Sequence, residues 1–136
     1  MKKIQVLLSL ALCLALLTAC GGGDVSEVGR HIGRCELFSE WQIANAMDEV
    51  ERYFQKEFDG CKLLRLEYDE QKTQTEAQEW AAQYGAEEAI VLYSDFSVDA
   101  FGGDGSLSPG DTYRNWKWVL TRSVKGEWEL RTWGYG

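Results

Sequence analysis

The chain has 136 residues with 14 basic and 22 acidic side chains, a net charge of −8, and 12% aromatic residues. This balance argues against nucleic acid as a partner, because that affinity rests on Lys and Arg neutralising phosphates. It also argues against electrostatic adhesion to anionic lipid, while the aromatic content and the single proline argue against disorder.

The chain opens with Met1-Lys2-Lys3 and a mostly apolar run from Ile4 to Leu17, which is the pattern of an export signal. The run is shorter than the roughly 20 apolar residues that span a bilayer. It ends in Leu17-Thr18-Ala19-Cys20, which resembles the lipobox of bacterial lipoproteins. The resemblance implies a diacylglycerol on the Cys20 sulfur, cleavage before Cys20 and an acylated (palmitate-type) amino terminus. It places the protein at the extracytoplasmic face of the cell membrane, with the acyl chains as its membrane contact. An ordinary signal peptide or an uncleaved anchor is the alternative. Cleavage removes 19 residues, Lys2 and Lys3 among them, and leaves 117 with 12 basic and 22 acidic side chains, net −10. The expected organisation is a signal peptide over 1–19, a Gly-rich tether over 20–36 and one domain over 37–136.

Cys13 falls in the leader, so Cys35 and Cys61 are the pair in question. A helix between them would span roughly 28 Å, whereas bonded Cα atoms lie within about 7 Å. A half-exposed Cys35 and a buried Cys61 is the simpler arrangement. No Cys/His spacing suggests zinc, and the one histidine, His31, falls in the tether.

Ser39 and Gln42 have capping-box spacing, and Phe38 with Ile43 stands at hydrophobic-staple positions. Ile43, Met47, Val50, Phe54 and Phe58 then form one stripe, so a helix is expected from about Glu40 to Phe58, ended by Asp59-Gly60. Cys61–Tyr68 alternates as a strand, with Leu64, Leu66 and Tyr68 on one side. Thr75 and Gln78 repeat the capping spacing, predicting a helix from about Glu76 to Tyr84 with Ala77, Trp80, Ala81 and Tyr84 inward. Ala89–Phe101 is expected as a strand with Ile90, Leu92, Phe96 and Val98 on one face. A Gly/Ser loop follows over 102–111, then strands Tyr113–Ser123 and Trp128–Tyr135.

For the last hairpin, a three-residue turn at Val124-Lys125-Gly126 pairs Leu120 with Leu130 and Trp118 with Thr132. It gathers Trp116, Trp118, Leu120, Trp128 and Leu130 on one face and sets Gly126 at a left-handed position. The expected fold is α+β, order α-β-α-β-β-β: a curved, largely antiparallel four-stranded sheet with both helices on one face. In element order it resembles cystatin-like and NTF2-like folds. Phe58-Asp59-Gly60-Cys61, Trp116-Lys117-Trp118 and Trp133-Gly134-Tyr135 resemble a group of small uncharacterised lipoproteins of gut Firmicutes, from which no activity follows.

Nucleophilic catalysis has little support, since His31 lies in the tether and no Gly-x-Ser-x-Gly string occurs. Glu67, Asp69, Glu70, Asp95 and Asp99 are abundant carboxylates without a defined cleft. Asp99, Asp104 and Asp111, with Ser106 and Ser108, leave calcium open for loop 102–111 without EF-hand spacing. No cofactor is implied. On the expected register, the sheet face away from the helices shows Tyr93, Asp95, Asp99, Lys117, Val119, Thr121, Glu129, Arg131, Trp133 and Tyr135. Lys117 then lies opposite Trp133 and Val119 opposite Arg131. Tyr93, Lys117, Arg131, Trp133 and Tyr135 make this a candidate docking face for an envelope protein or cell-wall component. Trp80, Tyr84, Trp116, Trp118 and Trp128 form a second candidate, an aromatic small-molecule pocket between helices and sheet. The expected function is a lipid-anchored, non-enzymatic binding domain using the open face; a pocket binder is the alternative and an enzyme the third reading.

Overall fold

The computed structural model describes residues 22–103, 105–124 and 126–135. The leader with Cys13, the lipid-attachment candidate Cys20, Asp104 and Lys125 lie outside them. Helix α1 spans Glu40–Glu57 and α2 spans Glu70–Gln83. The strands are β1 Gly29–His31, β2 Cys61–Tyr68, β3 Glu88–Val98, β4 Thr112–Arg122 and β5 Glu129–Gly134. They form one mixed five-stranded sheet in sequence order, β1 parallel to β2 and the rest an antiparallel meander.

Helix α1 starts as its sequence predicts: Ser39 N–H donates to Gln42 Oε1 at 2.9 Å, and Gln42 N–H returns to Ser39 Oγ at 3.2 Å. Its stripe of Ile43, Met47, Val50 and Phe54 is buried against Leu63, Leu66, Ile90, Leu92, Phe96, Trp118 and Leu120. This is the main core, and burial of so many large side chains dominates its stability.

Three bulges shape the sheet around α1. On β2, Leu64 is the extra residue between Leu63 and Arg65, so Leu63 rather than Leu64 joins Leu66 and Tyr68 inside. On β4, Asn115 sits at φ 56° and donates its N–H to Asp95 Oδ1 at 3.0 Å, which keeps both Tyr113 and Trp116 on the α1 face. On β5, Arg131 is the extra residue: Leu120 faces Leu130 as expected, but Trp118 faces Trp133 and Val119 faces Thr132. A bulge adds one residue to one strand, and every later side chain changes face. The turn differs too. The connection runs over 123–128, Gly126 N–H closes on the Ser123 carbonyl at 2.9 Å, and Gly126 is not left-handed.

The two helices lie on opposite faces, which corrects the expectation of one covered face. Ala89, Val91, Val119 and Thr121 point away from α1, are at most 1% exposed, and are covered by α2. Such a face is too apolar to be left to water, and Ala77 and Ala81 let α2 approach closely. Helix α2 also begins earlier than expected. Asp69 is its N-cap, accepting Lys72 N–H at 2.8 Å, while Thr75 hydrogen-bonds the Gln71 carbonyl inside the helix.

Residues 22–36, expected as a tether, pack on the domain. Asp24 N–H donates to the Cys61 carbonyl and Leu63 N–H returns to Asp24, and β1 adds the fifth strand. Arg30 reaches Asp48 and Glu51 of α1. The following turn is fastened by Glu70, a buried carboxylate that accepts the N–H groups of Glu36 and Leu37 and the Tyr68 hydroxyl. Cys61 is buried and Cys35 half-buried, the simpler of the two arrangements expected. Among the described residues no helix is long and apolar enough to cross a membrane.

Candidate functional site

The candidate docking face is largely covered by α2, which leaves a small pocket of about 110 Å³ bounded by Trp80, Lys117, Trp133 and Tyr135. Lys117 is 8% exposed and its ammonium bonds Glu76 of α2 at 2.9 Å, beside the Tyr93 ring. Burial works against the charge on Lys117, but Glu76 and Tyr93 outweigh it and hold the ammonium above the ordinary lysine range. Arg131 donates to Thr121 Oγ1 at 2.9 Å, and its guanidinium lies 5.4 Å from the Tyr84 ring centre, bracing α2. Trp133 and Tyr135 are on the other side: Trp133 against Tyr53 and Trp118, Tyr135 against Tyr113 and Trp116.

The five residues of the candidate pocket are likewise divided. Trp80 and Tyr84 stack together on α2, across the sheet from Trp116, Trp118 and Trp128. Trp118 is wholly buried with its indole N–H on Ser94 Oγ at 2.7 Å, and Trp128 is core, bonded to the Gln42 carbonyl at 2.9 Å. These two are structural.

What the fold does assemble is a cleft of about 290 Å³ at the end of α1, lined by Tyr53, Phe58, Trp116 and Trp133 with Glu57, Asp59, Cys61, Ser106 and Leu107. Each wall has a local cause. The last turn of α1 delivers Tyr53, Glu57 and Phe58, and Gly60 at φ 73° returns the chain into β2. Asp99 holds the floor loop: its Oδ1 accepts the N–H groups of Phe101 and Gly103 at 3.0 and 3.1 Å. The bulges at Asn115 and Arg131 turn Trp116 and Trp133 inward.

The rings meet at steep angles: Phe58 and Trp116 at 87°, Tyr53 and Phe58 at 68°, and Tyr53 with Trp133 at 48° and 4.6 Å between centres. They form walls rather than one stack, and Trp133 remains 39% exposed. The Trp116 indole N–H is buried without a protein acceptor among the described residues. Burial, and then the Glu57 carboxylate, push the Tyr53 phenol above its ordinary value, so it stays a neutral donor.

The cleft is lined by aromatic rings and two carboxylates; it has no histidine or basic side chain in its lining. His31 lies exposed on β1. Among the described residues no group of three His, Cys, Asp or Glu side chains is placed to hold a metal, and Asp99 Oδ1 is engaged by its own loop. A larger groove of about 640 Å³ runs past the exposed Trp41, with Arg52, Arg122 and Trp128. Sequence reasoning missed Tyr53, Glu57 and Asp59. The available signal was the string Tyr53 to Asp59, where an aromatic off the helix stripe precedes Phe58 and the turn.

Compared with protein-family models, curated proteins and solved structures, the chain matches none of them.

Proposed function

We propose that this protein is a lipid-anchored, non-enzymatic binding domain on the extracytoplasmic face of the cell membrane, and that its ligand is a small molecule or cell-wall fragment taken in the Tyr53–Phe58–Trp116–Trp133 cleft. The anchor half rests on the leader and Cys20. The binding half rests on one observation: four aromatic rings from the end of α1, β4 and β5 wall one cleft together with two carboxylates. Aromatic walls with a few convergent polar groups are the usual make-up of a ligand site, and 290 Å³ sits at the small end of the roughly 300–1,000 Å³ range. Docking through the far sheet face has less support, since α2 covers most of that face. In fold, the resemblance proposed to cystatin-like and NTF2-like domains is the long helix held in a curved antiparallel meander; β1 and the position of α2 lie outside it.

Two experiments test the two halves. Cys20→Ser should abolish incorporation of labelled fatty acid and leave unprocessed protein; undiminished labelling contradicts the anchor. A thermal-shift screen of the full chain in detergent, against cell-wall fragments, sugars, amines and neutral aromatics, should find ligands that stabilise the parent. Those ligands should fail to stabilise Trp116→Leu. Equal stabilisation of both proteins contradicts the site.

A further inference from the structure

The geometry points to an organic ammonium ion, of the choline type, as the group the cleft binds; this rests on the cleft being the binding site. The first ground is charge. The lining carries Glu57 and Asp59 and no Lys or Arg. Some carboxylates elsewhere on the domain are neutralised, as where Arg30 takes Asp48 and Glu51, Lys62 takes Glu27, Arg65 takes Glu67, and Arg122 takes Glu88, while others such as Glu40 and Glu79 stand alone on the surface among the described residues. Among the described residues neither Glu57 nor Asp59 is in an ion pair, so the mouth of the cleft holds two uncompensated negative charges on a domain that is already strongly acidic.

The second ground is the walls. A ring face carries negative potential, and a cation within about 6 Å of several ring centres gains attraction from each, about 0.5–2 kcal/mol apiece. Phe58 and Trp116 stand nearly perpendicular, and Tyr53 and Trp133 close a further side. A compact quaternary ammonium presents a methyl to every wall and needs no hydrogen bond from them. An anion meets Glu57 and Asp59 and is repelled. A neutral apolar ligand keeps the ring contacts and gains nothing from the carboxylates.

The test is calorimetric titration of the full chain in detergent with choline and with 3,3-dimethyl-1-butanol, its neutral carbon isostere. Choline should bind saturably and at least about tenfold more tightly than the isostere, and its affinity should fall as salt rises. Glu57→Gln/Asp59→Asn changes only exposed side chains and should melt like the parent; its choline affinity should fall by about three- to tenfold. Equal affinity for the two ligands overturns the cation inference and leaves the cleft as a neutral site. Absence of choline binding also overturns it; the cleft reading falls with it only if the broad screen fails to separate parent from Trp116→Leu.

Discussion

Glu70→Gln tests how the N-terminal segment is held to the domain. The carboxylate is 7% exposed, and its two oxygens accept three hydrogen bonds: Leu37 N–H at 3.0 Å and Tyr68 O–H at 2.9 Å on Oε1, and Glu36 N–H on Oε2. Glutamine keeps one acceptor oxygen. In its better orientation the oxygen retains Leu37 and Tyr68, while the NH₂ meets the Glu36 N–H and leaves it unsatisfied, at about 1–3 kcal/mol. The two bonds that remain lose charge assistance, about 1 kcal/mol each. Relief of the carboxylate's desolvation offsets part of this, so the net loss is about 2–3 kcal/mol. Denaturant unfolding of parent and variant at neutral pH reads it directly. The pH dependence supplies a second check. Burial raises the Glu70 pKa, but the bonds from Glu36, Leu37 and Tyr68 outweigh it and hold it below the ordinary value of 4.5. A depressed folded pKa stabilises fully above the ordinary value, and that stability fades as pH falls through the lower folded value. The gap between parent and variant should therefore narrow on acidification below pH 4.5. A loss under about 0.5 kcal/mol, or a gap that widens in acid, refutes the reasoning.

Two further substitutions probe the fold around the site. Val119→Ala should cost about 2 kcal/mol because α2 buries this side chain completely; a change within about 0.5 kcal/mol in denaturant unfolding would mean the second face is open. Gly60→Ala should cost about 2 kcal/mol and quicken proteolysis within 99–111. An added Cβ would lie 2.4 Å from Asp99 Oδ2 and 3.1 Å from Gly103 Cα at φ 73°. Asp99 cannot turn aside without releasing Phe101 and Gly103. Unchanged stability and cleavage would show the turn to be adaptable.

Helix α1 was legible because its signals are local: a capping box, a stripe and a closing glycine act within one segment. The β4–β5 register was legible only as far as Leu120–Leu130, where alternation alone decides. Beyond it, Arg131 bulges, and alternation carries no mark of an inserted residue; Trp133 and Tyr135 were thereby set on the wrong face. The same holds for Leu64 and Asn115. The covered second face did have a signal: Ala89-Ile90-Val91-Leu92 is an unbroken apolar run, the pattern of a strand buried on both sides. Strand β1 had none, being three residues long with Arg30 and His31 in it and formed only by pairing with β2. The cleft was half visible. Trp116 was singled out, but its neighbours come from the end of α1 and from beyond the β5 bulge, so their convergence is a tertiary result.

The six tryptophans make the most direct test of the cleft possible. Each indole N–H gives one NMR resonance, and the six are spread over the cleft, the core, α2 and the outer groove. On titration with choline the Trp116 and Trp133 resonances should move together to saturation. Trp118 and Trp128, bonded to Ser94 and Gln42, should hold still, as should Trp41 and Trp80. Movement confined to Trp41 and Trp128 would put binding in the groove beside Arg122 instead, and six unmoved resonances would contradict choline binding altogether.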